Sequence, residues 1–107
     1  HVLPEMNHNE LVGWKQQNEH LVVIFLRYKD DLRQVQLRTD LTKKIITPLA
    51  HHVIEIFAKG QSMAEKMMYM THLGDWLSWS LAQKNHVDAS EIDVIDTLKR
   101  ELESSKI

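Results

Sequence analysis

The chain has 107 residues, 43% hydrophobic and 26% charged, which is the balance of one ordinary globular domain. Thirteen basic side chains stand against 15 acidic ones, for a net charge of −2 with the signs mixed along the chain. Neither a nucleic-acid-binding face nor a polybasic membrane patch is indicated, and the lack of cysteine excludes disulfides and thiolate metal sites and fits a reducing compartment such as the cytoplasm.

In chain order, His1-Val2-Leu3-Pro4 reads as a turn-like lead-in from a longer protein, with no signal peptide visible. Asn9 reads as an N-cap, with Glu10 placing negative charge in the first turn of a helix that reaches about Asn18. Leu21-Val22-Val23-Ile24-Phe25-Leu26 is a continuous, β-branched apolar run, far too short to span a bilayer. It predicts a strand over 22–27, buried on both faces as in a parallel sheet. A polar loop follows at Asp30-Asp31, then a helix from about Thr39 to Thr47 that Pro48 ends. Val53-Ile54-Glu55-Ile56-Phe57 predicts a second strand, with Gly60 turning the chain after it.

Ser62 starts a long helix carrying Met63, Met67, Met70, Leu73, Leu77 and Leu81 at helical spacing. Gly74 within it suggests close packing or a small kink. Ser90 and Asp93 resemble a capping box, opening a last helix with Ile92, Ile95, Leu98 and Leu102 on one stripe. Helix, strand, helix, strand, helix, helix implies a single α/β domain over 1–107 with a parallel sheet. Two strands make a poor sheet, which suggests that further strands lie on the N-terminal side.

Seven histidines (His1, His8, His20, His51, His52, His72 and His86) raise the question of a metal. No His-Glu-x-x-His pattern occurs, and the adjacent His51 and His52 would not chelate well, so no metal site is assigned. The methionines at 63, 67, 68 and 70 are read as helix core rather than an adaptable groove, and Trp76 and Trp79, three apart on one helix, as packing residues rather than a stacking platform. His8 differs from the other histidines. It sits just before the expected N-cap, where the positive end of the helix dipole would keep the ring neutral and able to exchange a proton.

Leu3-Pro4-Glu5-Met6-Asn7-His8-Asn9-Glu10-Leu11-Val12-Gly13-Trp14 resembles the LPELNHNEIVGW segment of bifunctional phosphoglucose/phosphomannose isomerases. The similarity continues in order at Ala58-Lys59-Gly60-Gln61-Ser62, Leu73-Gly74-Asp75-Trp76-Leu77-Ser78, Val87-Asp88 and Ile95-Asp96-Thr97-Leu98-Lys99. The resemblance implies the C-terminal portion of a SIS-type (sugar isomerase) three-layer α/β/α domain, helix-rich and with parallel strands. It also implies a sugar-phosphate substrate (glucose 6-phosphate, mannose 6-phosphate or fructose 6-phosphate), no metal or organic cofactor, and a homodimer in the full-length enzyme.

In that family the histidine of the NHNE segment helps open the sugar ring, and its match is His8. A lysine of the last helix approaches the substrate, and its match is Lys99. The helical wheel supports that choice: Lys99 lies beside the apolar stripe and Arg100 points away from it. Lys84, which precedes a loop, fits less well. The family's general base is a glutamate in a NENAK-like segment expected shortly before His1. Neither that segment nor the Ser/Thr-rich phosphate loops occurs here, and Glu10 is read as helix-start charge rather than as the base. Two other readings compete. A non-catalytic SIS module that binds sugar phosphate and regulates a partner would lack the histidine. An all-helical phosphotransfer module is disfavoured by the β-branched runs.

Overall fold

Asn18–Arg27 and Ala50–Phe57 form the two strands, β1 and β2, of a parallel sheet in which Val23 pairs with Val53, Phe25 with Glu55 and Arg27 with Phe57. The structure, a computed structural model, describes residues 3–105. The helices are α1 (Leu3–His8), α2 (Arg33–Ile46), α3 (Met63–Lys84) and α4 (Asp93–Ser104), with a 3-10 turn at Glu10–Gly13. The α/β class and the element order are therefore as expected, and the parallel ladder rules out an all-helical module. Among the described residues no helix is long and apolar enough to cross a membrane. His1 and Val2 of the expected lead-in lie outside the described residues.

The described residues fall into two compact units that divide between Met70 and Thr71, inside α3. In the first, β1, α2 and β2 form a strand–helix–strand crossover. The ladder is closed at both ends by backbone bonds, from Asn18 N–H to the Leu49 carbonyl (2.6 Å) and from Ala58 N–H to the Arg27 carbonyl (2.8 Å). Alternation along the strands decides what is covered. Phe25 packs in a core with Ile46 of α2 and Ala50, and Val23 and Val53 pack against it. Ile46 is wholly buried, so its truncation to alanine would cost about 2–5 kcal/mol. The opposite face carries Val22, Leu26 and Ile54, which are exposed. The apolar runs predict cover on both faces of the strands. Among the described residues one face is covered, and Val22, Leu26 and Ile54 on the other are exposed.

α2 begins at Arg33, six positions before the expected start. Its first turns, Arg33-Gln34-Val35-Gln36-Leu37-Arg38, are mostly good helix formers but lack a capping side chain before them. The helix entry is held instead by the Gln36 amide, which donates back to the Asp31 carbonyl at 2.7 Å. Thr39 and Thr42 are buried, and each satisfies its hydroxyl by donating to the carbonyl one turn back, at 2.8 and 2.7 Å. Pro48 lies just beyond the end of α2, as expected.

α1 and the 3-10 turn replace the single helix expected from Asn9 to Asn18. Leu3 and Pro4 belong to the first turn of α1, where the missing proline N–H leaves no bond unmade. Asn9 makes no capping bond to the 3-10 turn. Its N–H donates to the Glu5 carbonyl (3.2 Å) and its side-chain amide to Glu5 Oε1 (2.8 Å), so it closes the helix before it.

A charged cluster stitches the sheet to α2. Arg27 Nη1 donates to Glu55 Oε2 at 2.6 Å and to Asp40 Oδ1 at 2.7 Å, and Lys43 Nζ reaches Glu55 Oε1 at 3.2 Å. The Arg27 guanidinium also lies over the Phe57 ring, 5.4 Å from its centre. The Arg27 hydrogen bond holds the Glu55 carboxyl below its ordinary range, with partial burial opposing and Lys43 assisting. A lowered folded-state pKa contributes stability above the unfolded value and loses it as pH falls through the folded value. Resistance to urea should therefore decline as pH drops below about 4.3, the ordinary glutamate value. Glu55→Gln should flatten part of that decline. An unchanged pH profile in Glu55→Gln would show that the cluster does not couple folding to pH.

After β2 the chain turns at Gly60, whose φ of 139° is closed to side chains. A Cβ there would also come 2.7 Å from the Glu65 Cβ. The crowding comes from a capping box: Ser62 Oγ accepts from Glu65 N–H (3.2 Å), and the Glu65 carboxylate accepts from Ser62 N–H (3.1 Å) and from Gln61 N–H. Lys66 pairs with Asp30, tying the start of α3 to the loop after β1. Met70 is buried, but Met63, Met67 and Met68 are exposed, so among the described residues these methionines do not form the expected helix core.

The second unit holds the remainder of α3, and α4. A Cβ at Gly74 would meet nothing within 4 Å, so the expected close packing is not made among the described residues. α3 ends in a Schellman motif, with His86 N–H bonded to the Gln83 carbonyl and Val87 N–H to the Ala82 carbonyl, and His86 takes the left-handed position at φ 55°. The Ser90 capping box does not form. Asp88 captures both the N–H and the hydroxyl of Ser90, and Ile92 stands at the N-cap with no side-chain bond. The stripe of Ile95, Leu98 and Leu102 is exposed, as are Trp76 and Trp79.

Candidate functional site

His8 is the last residue of α1 and its side chain is exposed. The helix start expected just after it is absent, so the dipole argument for a neutral ring loses its helix. What the structure supplies is a firm mount. Leu3 and Met6 before His8, and Leu11 and Trp14 after it, pack against the Phe25–Ile46–Ala50 core. Asn7 donates from Nδ2 to Thr42 Oγ1 of α2 at 2.8 Å. An imidazole held on a docked segment, with its ring open to solvent or to a neighbouring molecule, can give and take a proton. Glu10 opens the 3-10 turn, and the longer helix whose first turn it was expected to charge does not form.

Lys99 lies on α4, exposed, in a shallow surface groove with Asp93, Asp96, Arg100 and Glu103. Helical spacing puts it at the margin of the apolar stripe of Ile95, Leu98 and Leu102, which is exposed among the described residues. His8 and Lys99 belong to different compact units, and each is placed only within its own. Lys84 is the last residue of α3.

The other described histidines have local surroundings. His20, His51 and His52 lie exposed on the strands, and His72 Nε2 accepts the Trp76 indole N–H at 2.9 Å. Trp76 meets Trp79 edge-on, with ring centres 5.6 Å apart. Among the described residues no three His, Asp or Glu side chains converge as metal ligands. His1 lies outside the described residues.

Residues 1–102 match the family model described as the bacterial phospho-glucose isomerase C-terminal SIS domain. The chain belongs to this family. It is 36% identical over 104 residues to a bifunctional phosphoglucose/phosphomannose isomerase of Aquifex aeolicus, covering 94% of this chain and 32% of that protein. A protein of the same name from Caldicellulosiruptor bescii is 31% identical over 109 residues, covering 98% and 32%. One from Thermoplasma volcanium is 30% identical over 98 residues, covering 92% and 31%. No solved structure matches significantly. The chain thus spans about a third of the length of these relatives.

Proposed function

We propose that this chain is the C-terminal domain of an aldose–ketose isomerase that interconverts glucose 6-phosphate or mannose 6-phosphate with fructose 6-phosphate. The observation that carries the reading is the match of nearly the whole chain to the isomerase C-terminal SIS family. The exposed His8 on its docked segment agrees with it.

The closed sugar must first open, which requires a proton to leave the C1 hydroxyl and one to reach the ring oxygen. His8 moves that proton, and Lys99 stabilises negative charge building on the oxygens. A glutamate outside this sequence then removes the C2 proton while O1 takes up a proton, giving the enediol, and returns a proton to C1 while O2 loses one, giving the ketose. Glucose and mannose 6-phosphates differ only at C2 and share one enediol, so a single site serves both. The enzyme works as a homodimer in which His8 completes the neighbouring subunit's site. No metal or organic cofactor takes part.

The test is to offer the full-length protein glucose 6-phosphate and mannose 6-phosphate in turn and to follow fructose 6-phosphate in a coupled assay. Turnover of both is expected. Tight binding with no turnover of either would instead favour a regulatory sugar-phosphate module.

A further inference from the structure

We infer that Asn7 is a positioning residue that fixes His8 through the buried hydroxyl of Thr42. The inference rests on the reading of His8 as the ring-opening residue.

α1 has six residues, too few to hold a helical shape by itself, so its geometry must come from what it touches. Its apolar contacts, through Leu3 and Met6, hold it against the core. Such contacts are non-directional and do not by themselves set the roll of the segment. The hydrogen bond from Asn7 Nδ2 to Thr42 Oγ1 is directional, and it joins positions 35 apart in the chain.

Its acceptor is itself fixed. Thr42 is 2% exposed, and its hydroxyl proton is committed to the Arg38 carbonyl at 2.7 Å. A hydroxyl with its proton so placed has its lone pairs aimed in set directions. Asn7 occupies one of them. On the other side of His8, Asn9 is bonded through both backbone and side chain to Glu5. His8 therefore sits between a residue tied to α2 and a residue tied to the preceding turn. A displacement of about 1 Å in an acid–base group can cost about 10²-fold in rate, so a bond that sets the roll of α1 has kinetic consequences.

The test uses the full-length isomerase with Asn7→Leu and Thr42→Val, each of which removes one partner at nearly constant shape. Each should lower kcat for ring-closed glucose 6-phosphate by about tenfold or more, with KM little changed. An aldose phosphate that cannot close a ring should be turned over almost as before. Thr42→Ser, which keeps the hydroxyl, should restore the rate. The double variant should lose no more than either single one, because both remove one bond. In a His8→Ala background, Thr42→Val should have no further effect on the ring-closed substrate.

The failures separate cleanly. If His8→Ala leaves ring-closed turnover unchanged, the reading of His8 falls and the positioning role falls with it. If His8→Ala slows it but Asn7→Leu and Thr42→Val do not, the role of His8 stands and the inference is overturned. Equal losses on closed and open substrates also overturn it, because they would assign the bond to stability alone.

Discussion

On the proposed function, His8→Ala in the full-length protein is expected to slow turnover of ring-closed glucose 6-phosphate by about 10²–10⁴-fold, the usual cost of losing one acid–base group. The reason lies in the first chemical step. A pyranose cannot form an enediol until its ring opens, and opening moves a proton from the C1 hydroxyl towards the ring oxygen. Imidazole is suited to that exchange because it both donates and accepts near neutral pH. An open-chain aldose phosphate skips the step and should lose far less. The side chain is exposed at the end of α1, so its removal leaves no cavity in the core, and thermal stability should change little. Equal losses on closed and open substrates would assign His8 to a different step.

The 107-residue chain by itself is expected to show no measurable isomerisation of glucose 6-phosphate. Proton removal from C2 needs a base, and no NENAK-like glutamate segment occurs in this sequence; nor do Ser/Thr-rich loops to hold the phosphate. Loss of the base alone would cost about 10²–10⁴-fold, and loss of the phosphate contacts adds to it. The fold compounds the deficit. A two-stranded sheet is marginal even when one face is packed. Here the other face shows Val22, Leu26 and Ile54 to solvent, and α4 shows Ile95, Leu98 and Leu102. A coupled assay on the purified chain checks this. Turnover comparable with the intact enzyme would mean that both the base and the phosphate contacts lie within this sequence, and the assignment of roles would have to be redrawn.

The strands are the most legible part of the fold, because short runs rich in Val and Ile, the six apolar residues Leu21 to Leu26 and Val53-Ile54-Glu55-Ile56-Phe57, have few other uses. Parallel pairing is implied by the intervening helix. Helix boundaries are harder to read, for reasons visible in single residues. Asn9 has the chemistry of an N-cap, but Glu5, four residues back, offers it partners first. Ser90 looks like the start of a capping box, but Asp88 lies closer than the helix and takes its hydroxyl. Ser62-Met63-Ala64-Glu65 is the capping box that does form, and its spacing is there to be read. The early start of α2 has no capping side chain to mark it, and Gln36 reaching back to a loop carbonyl is a contact no periodicity reports.

The proposal of His8 and Lys99 as site residues rests on resemblance. Periodicity says no more than that Lys99 borders a stripe. The bond from Asn7 to Thr42 spans 35 positions between two unremarkable polar residues, and no sequence pattern marks it. The exposed methionines and tryptophans show the limit of reading burial from helical spacing. Spacing tells which residues share a face, but not whether this chain contains what covers it.

The most direct measurement is a structure of the intact protein with a sugar 6-phosphate bound. The His8 ring should reach the sugar, at about 2.6–3.2 Å from a ring or hydroxyl oxygen. Lys99, from the same or a neighbouring subunit, should approach the same sugar. A sugar phosphate bound where no copy of His8 can reach it, with Lys99 pointing into bulk solvent, would contradict the assignment of both residues.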